Sequence, residues 1–116
     1  MNQTYPLLKT AAIILLVDIF WLATGGIFAR NMFERIQGKP IEARFVSAAI
    51  VYIFLAYMLL QTTSAKQAFM YGAAIYGVYD FTNHALLDQY DWKFAIADTL
   101  WGGVLFVVAR HLLKAF

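Results

Sequence analysis

Cysteine is absent from the chain. Its absence excludes disulfides, thiolate metal sites and cysteine nucleophiles, and it leaves the redox compartment unmarked. Proline occurs only at Pro6 and Pro40, so long stretches carry no residue that breaks a helix. Charge is scarce as well. Asp, Glu, Lys and Arg make up 14% of the residues, where a soluble globular domain carries about 25%. The basic residues are spread along the chain and the formal charge is only +2. The basic stripe that follows a phosphate backbone is therefore missing, and nucleic acid is not an expected partner. The opening Met1-Asn2-Gln3-Thr4-Tyr5-Pro6 has no charged n-region, and no small-residue cleavage site follows the first apolar stretch. A retained first span is expected rather than a signal peptide.

Hydrophobic residues form 62% of the 116. Too little polar material remains to cover a soluble domain. The expectation is an all-α integral membrane protein, multi-pass, with one transmembrane domain over 1–116 and the lipid bilayer as its solvent. Charged residues bound four windows, 10–29, 45–65, 67–87 and 94–109, whose only interior charges are Asp18, Asp80 and Asp98. A spanning helix needs roughly 20 mostly apolar residues. The first three windows meet that length, and the fourth does so if Arg110 and Lys114 snorkel toward the headgroups.

The predicted helices are 7–29 with an interfacial extension to 37, 41–61, 65–86 and 92–113. Gly38-Lys39-Pro40 reads as a helix stop followed by a helix start. Phe28, Met32, Phe33 and Ile36 make an apolar stripe suited to the headgroup level. Ser64 and Gln67 read as a capping box, and Asp91 as an N-cap. Tyr90 and Trp92 suit an interfacial aromatic belt. Short connections make successive helices antiparallel, which gives an up-down-up-down four-helix bundle. Lys9, Lys66, Arg110 and Lys114 fall on one side of it, and Arg30, Arg35, Lys39, Arg44 and Lys93 on the other. That near balance leaves the orientation open.

The acids inside the windows carry the functional signal. An Asp at the centre of a span costs about 2.5–3.5 kcal/mol to insert, so all three must face the interior with partners or water. Tyr76, Asp80 and His84 recur at helical spacing, with Asn83 beside them. Asp18, Asp80, Asn83, His84 and Asp98 can converge on one polar pocket, walled by Trp21, Tyr76, Tyr79 and Trp101. No Lys or Arg lies at their depth. The acids can share protons, hold a cation, bond His84, or accept hydrogen bonds from tryptophan and tyrosine. Asp18-Ile-Phe-Trp21 before Gly25-Gly26 and Asp98-Thr-Leu-Trp101 before Gly102-Gly103 form a weak internal repeat on oppositely directed helices. Ala73/Gly77 and Gly102/Gly103 offer close-contact faces, from which a homo-oligomer is expected.

Asp18-x-x-Trp21-Leu22, Tyr79-Asp80-x-Thr82-Asn83 and Asp98-x-x-Trp101-Gly102 resemble the pattern of a domain-of-unknown-function family of small, mostly bacterial, predicted four-helix membrane proteins. The resemblance covers nearly the whole chain. It implies the architecture, and an inner-membrane location if the source is bacterial, but no reaction. The leading functional reading is a membrane protein that binds or translocates a proton, cation or small polar solute. One alternative is a lipid-modifying enzyme or its accessory, with Asp80 and His84 as an acid–base pair and a lipid headgroup as ligand. Another is a structural or assembly subunit whose polar residues only join helices. No catalytic residue, metal or cofactor is assigned.

Overall fold

The computed structural model describes residues 4–116. The chain start discussed above falls partly outside them, at residues 1–3. Five helices form, α1 (Thr4–Ala23), α2 (Gly25–Gln37), α3 (Phe45–Leu60), α4 (Ala65–Leu86) and α5 (Trp92–Ala115), with no strand among the described residues. The protein is all-α, but with five helices where the sequence predicts four.

The fifth helix arises from a break at Thr24. Its hydroxyl donates back to the Phe20 carbonyl at 2.8 Å, and its amide donates to the Trp21 carbonyl at 3.1 Å, a tightened turn. Back-bonding by threonine bends a helix, and Gly25-Gly26 immediately after it supply no side chain to resist the bend. The predicted run from 7 through 29 to 37 is therefore two helices. Gly38 ends α2 in the left-handed region at φ 76°, its amide on the Glu34 carbonyl. Pro40 does not start the next helix: residues 41–44 are irregular, and α3 begins at Phe45 rather than 41.

Ser64 caps α4 by accepting from the Gln67 amide at 3.1 Å, while Gln67 Oε1 accepts from the Thr63 amide at 2.7 Å. The glutamine reaches one residue further back than a capping box requires. Asp91 caps α5, accepting from Lys93 and Phe94 amides. Arg110 donates to the Thr62 carbonyl at 2.9 Å. It holds the chain just beyond α3 instead of extending freely toward headgroups.

α4 and α5 form the most extensive interface, and α1 packs on both α3 and α5. The α4–α5 pair is held by absent side chains. A Cβ on Gly102 would lie 2.5 Å from the Gly72 carbonyl, and one on Gly103 would lie 2.5 Å from the Phe69 ring. Gly102 and Gly103, expected to face a second copy, are used inside the chain. Gly77 also faces Thr99 of α5. The main core gathers Ile14, Leu55, Leu59, Leu105 and Phe106. A second cluster sets Met32 of α2 against Tyr90, Phe94 and Ala95, so the α2 stripe covers the start of α5.

Candidate functional site

Three acids sit on apolar helices, and all three are buried: Asp18 of α1 is 5% exposed, Asp80 of α4 0%, and Asp98 of α5 7%. Their partners are neutral donors. Trp101 Nε1 donates to Asp18 Oδ1 at 2.8 Å, and Trp21 Nε1 donates to Asp98 Oδ1 at 2.8 Å. The two Asp-x-x-Trp stretches thus exchange tryptophans across α1 and α5. An acid and an indole three residues apart lie about one turn apart on the same face. On antiparallel helices that spacing lets each acid meet the other helix's indole. The indoles stack at 5.5 Å with 14° between their planes. A Cβ on Gly25 would lie 2.7 Å from the Trp21 ring, so this glycine makes room for the indole that reaches Asp98. Gly102, its counterpart in the repeat, instead makes room for α4.

The remaining carboxyl oxygens differ in their surroundings. Asp18 Oδ2 accepts from the Tyr52 hydroxyl at 2.5 Å, which completes its bonding. Asp80 Oδ1 accepts from the Tyr90 hydroxyl at 2.6 Å, while its Oδ2 is buried with no donor. The Asp80 and Asp98 carboxyls are near enough to interact. Two neighbouring carboxyls without a cation repel when both are ionised, and one proton between them turns repulsion into a hydrogen bond. Tyr90, in the loop between α4 and α5, has its phenol pushed above the ordinary tyrosine range. Burial is the main cause and the Asp80 carboxyl the second.

A cleft of about 380 Å³ opens beside these groups. Asp18 and Asp98 line it together with the phenols Tyr52, Tyr76 and Tyr79 and the apolar Val51, Leu55 and Ile75. No basic residue lines it. A half-open, largely apolar cleft of this size with two acids favours a ligand that is cationic or can donate hydrogen bonds.

The sequence-predicted site residues separate into groups. Asp18, Asp98, Tyr76 and Tyr79 line the cleft, with Tyr79 half exposed at its edge. Asp80 stands behind Asp98 and does not line the cleft. Asn83 lies beside the Tyr79 and Tyr90 phenols. Trp21 and Trp101 bind the acids from behind rather than walling the space. His84 is exposed and outside the cluster. The i, i+4 spacing puts His84 on the same side of α4 as Asp80, but one turn further on it stands exposed near the helix end, and Tyr90 folds back from the loop to take the Asp80 bond. Tyr52 was missed. It is one of two tyrosines in the uncharged window 45–65, the other being the exposed Tyr57, and the sequence alone does not distinguish them. Tyr90, which by its position suits an interfacial belt, is instead buried, and a buried phenol needs a partner, here Asp80.

Apolar helices that bury three acids without a basic partner, joined by tryptophan and tyrosine donors, define a class of small helical proteins suited to a lipid surrounding. Two of the helices, Tyr5–Ala23 and Trp92–Ala115, are long and apolar enough to cross a membrane, and α3 is apolar but shorter. The chain belongs to the DUF2177 family of predicted membrane proteins, which it matches over residues 4–112. No curated protein and no solved structure matches it.

Proposed function

We propose that α1, α3, α4 and α5 all cross the bilayer, up-down-up-down, with α2 at the headgroup surface. In that setting the protein binds a small cation or polar solute in the acidic cleft, in exchange with a proton, and transport is the use of that exchange. The observation that carries the reading is Asp98. It lines the cleft, has Asp80 as a neighbouring acid, and has no basic partner. A proton held between the two carboxyls is displaced when a cation or donor enters, because the newcomer supplies the positive charge that the proton supplied before.

The tryptophans make this testable. Trp21 and Trp101 are bonded to Asp98 and Asp18, so their emission reports the charge on those acids. In a Trp92→Phe background, protein in lipid nanodiscs is expected to change its emission with pH across neutrality. Asp98→Asn keeps an acceptor for Trp21, so it should fold yet abolish that change. A wild-type curve as flat as that of Asp98→Asn would sink the reading.

One observation favours the structural alternative at a single position. Both Asp18 oxygens are already bonded, so Asp18 can act as a clamp between α1, α3 and α5. The lipid-enzyme alternative has less support, since His84 is exposed and the Asp80 carboxyl is bonded by Tyr90 instead. A homo-oligomer, if formed, would use the outward face of α3, where Phe45, Val46 and Phe54 are exposed, rather than the glycines.

A further inference from the structure

The cleft does not open at either end of the helices. Of its lining residues, Val51 on α3 is 51% exposed and Tyr79 on α4 is 53% exposed, whereas Leu55, Asp18 and Asp98 at its depth are buried. The mouth therefore lies on the side of the molecule, in the seam between α3 and α4. That seam is thinly packed, while α4 and α5 are locked together by Gly72 and Gly102. Val51 is six residues from the start of α3, and Tyr79 seven from the end of α4. At about 1.5 Å per residue, the mouth lies on the order of 10 Å in from the helix ends. If these helices span, that depth is hydrocarbon.

We infer that the ligand is a lipophilic organic cation, an alkylammonium amphiphile that enters from the bilayer through the α3–α4 seam. The inference rests on the proposed acidic-cleft reading and names its substrate class and route. The physical argument has two parts. A mouth at hydrocarbon depth selects for molecules that partition into lipid, and a small inorganic ion would have to leave water to reach it. Inside, two carboxyls supply negative charge, and Tyr52, Tyr76 and Tyr79 offer ring faces. Aromatic faces attract ammonium groups most strongly when both are out of water. The apolar lining from Val51, Leu55 and Ile75 suits the first carbons of the chain, and the rest of the tail remains among the lipids. Anionic amphiphiles are disfavoured by the carboxyls. Neutral ones lose the charge attraction.

The test uses the full chain in nanodiscs with the Trp92→Phe background, titrated with decyltrimethylammonium, decanol and tetramethylammonium. Decyltrimethylammonium is expected to shift the tryptophan emission saturably, whereas decanol and tetramethylammonium are not. Asp98→Asn should weaken the response at least tenfold. Val51→Phe places a larger side chain at the exposed mouth without adding an indole to the readout, and should also weaken it at least tenfold, an unchanged melting temperature showing that the fold is intact. Equal binding of tetramethylammonium, with no effect of Val51→Phe, would show entry from water and overturn the inference. An equal response to decanol would reduce it to apolar partitioning and also overturn it. Silence toward both cations overturns it too. In each of these cases the acidic-cleft reading survives if the emission still answers to pH, and falls with the inference if it does not.

Discussion

At the scale of single residues, the acids divide by what their second oxygen meets. Asp18 has Trp101 on one oxygen and Tyr52 on the other. Asp80 has Tyr90 on one and no donor on the other, which is buried. Tyr90 is thus the link between the α4–α5 loop and the buried pair. Tyr90→Phe removes the hydroxyl from a buried carboxyl and is expected to lower stability at neutral pH by about 1–3 kcal/mol, measured by thermal melting in lipid or mild detergent. The same residue contributes to the alkaline decline. Its folded phenol ionises above the ordinary range, because of burial and then Asp80. The stabilisation is fully present below the unfolded tyrosine value of about 10 and is lost as pH rises through the folded one. Tyr90→Phe should therefore show a shallower loss of stability above that value, and an unchanged alkaline slope would argue against the assigned bond.

At the scale of elements, the glycines decide which helices can touch. Gly102 and Gly72 bring α4 and α5 into backbone contact, and a Cβ on Gly102 would lie 2.5 Å from both the Gly72 carbonyl oxygen and the Tyr76 ring. Neither atom can retreat without moving a helix. Gly102→Ala is expected to cost about 3 kcal/mol, at the upper end of overpacking penalties, and to disturb the cleft that Tyr76 lines. Gly26→Ala is the control. Its added methyl would sit 3.5 Å from the nearest atom, the Trp21 carbonyl, and should change the melting temperature little. Similar losses from both would remove the distinction. An aromatic series extends along the same region. Phe33 meets Tyr90 edge-on at 5.6 Å, Tyr90 meets Phe94 at 6.1 Å, and Phe94 stacks on Trp21 at 6.4 Å. This is how α2, after its break at Thr24, is held over the start of α5.

At the scale of the whole molecule, the extents are 47 × 28 × 22 Å. The long dimension exceeds a hydrocarbon core of about 30 Å, leaving room for loops at headgroup level. The proposed four spans put the segments after α2 and after α4 on one side of the membrane and the segment after α3 on the other. Since the chain has no cysteine, single cysteines report cleanly. Lys39→Cys and Asp88→Cys are expected to react with an impermeant maleimide from the same face of sealed vesicles, and Ser64→Cys from the opposite face. Labelling of all three from one side would rule out the spanning arrangement.

Much of this protein was legible before any coordinates. Scarce charge and long apolar windows point to helices suited to a lipid surrounding, because a backbone without water must bond within itself. The insertion cost of Asp18, Asp80 and Asp98 requires that they be buried, and they are. The three motifs were sufficient to indicate the family. Other features depend on how the helices meet. Thr24 breaks the first helix through a local bond that apolar periodicity does not register. Tyr52 and Tyr90 are bound to acids 34 and 10 residues away, and only packing brings those groups together. His84 shares a helix face with Asp80 but not its burial: Asp80 is 0% exposed, while His84 is exposed. The repeat of Asp-x-x-Trp was visible as a pattern, yet its meaning is tertiary: Trp21 and Trp101 each serve the acid of the other helix. Composition and local spacing set what must be buried, since those are costs each residue carries alone. Which donor meets which acid, and where the cleft opens, depends on helix rotation and close approach, which no residue carries by itself.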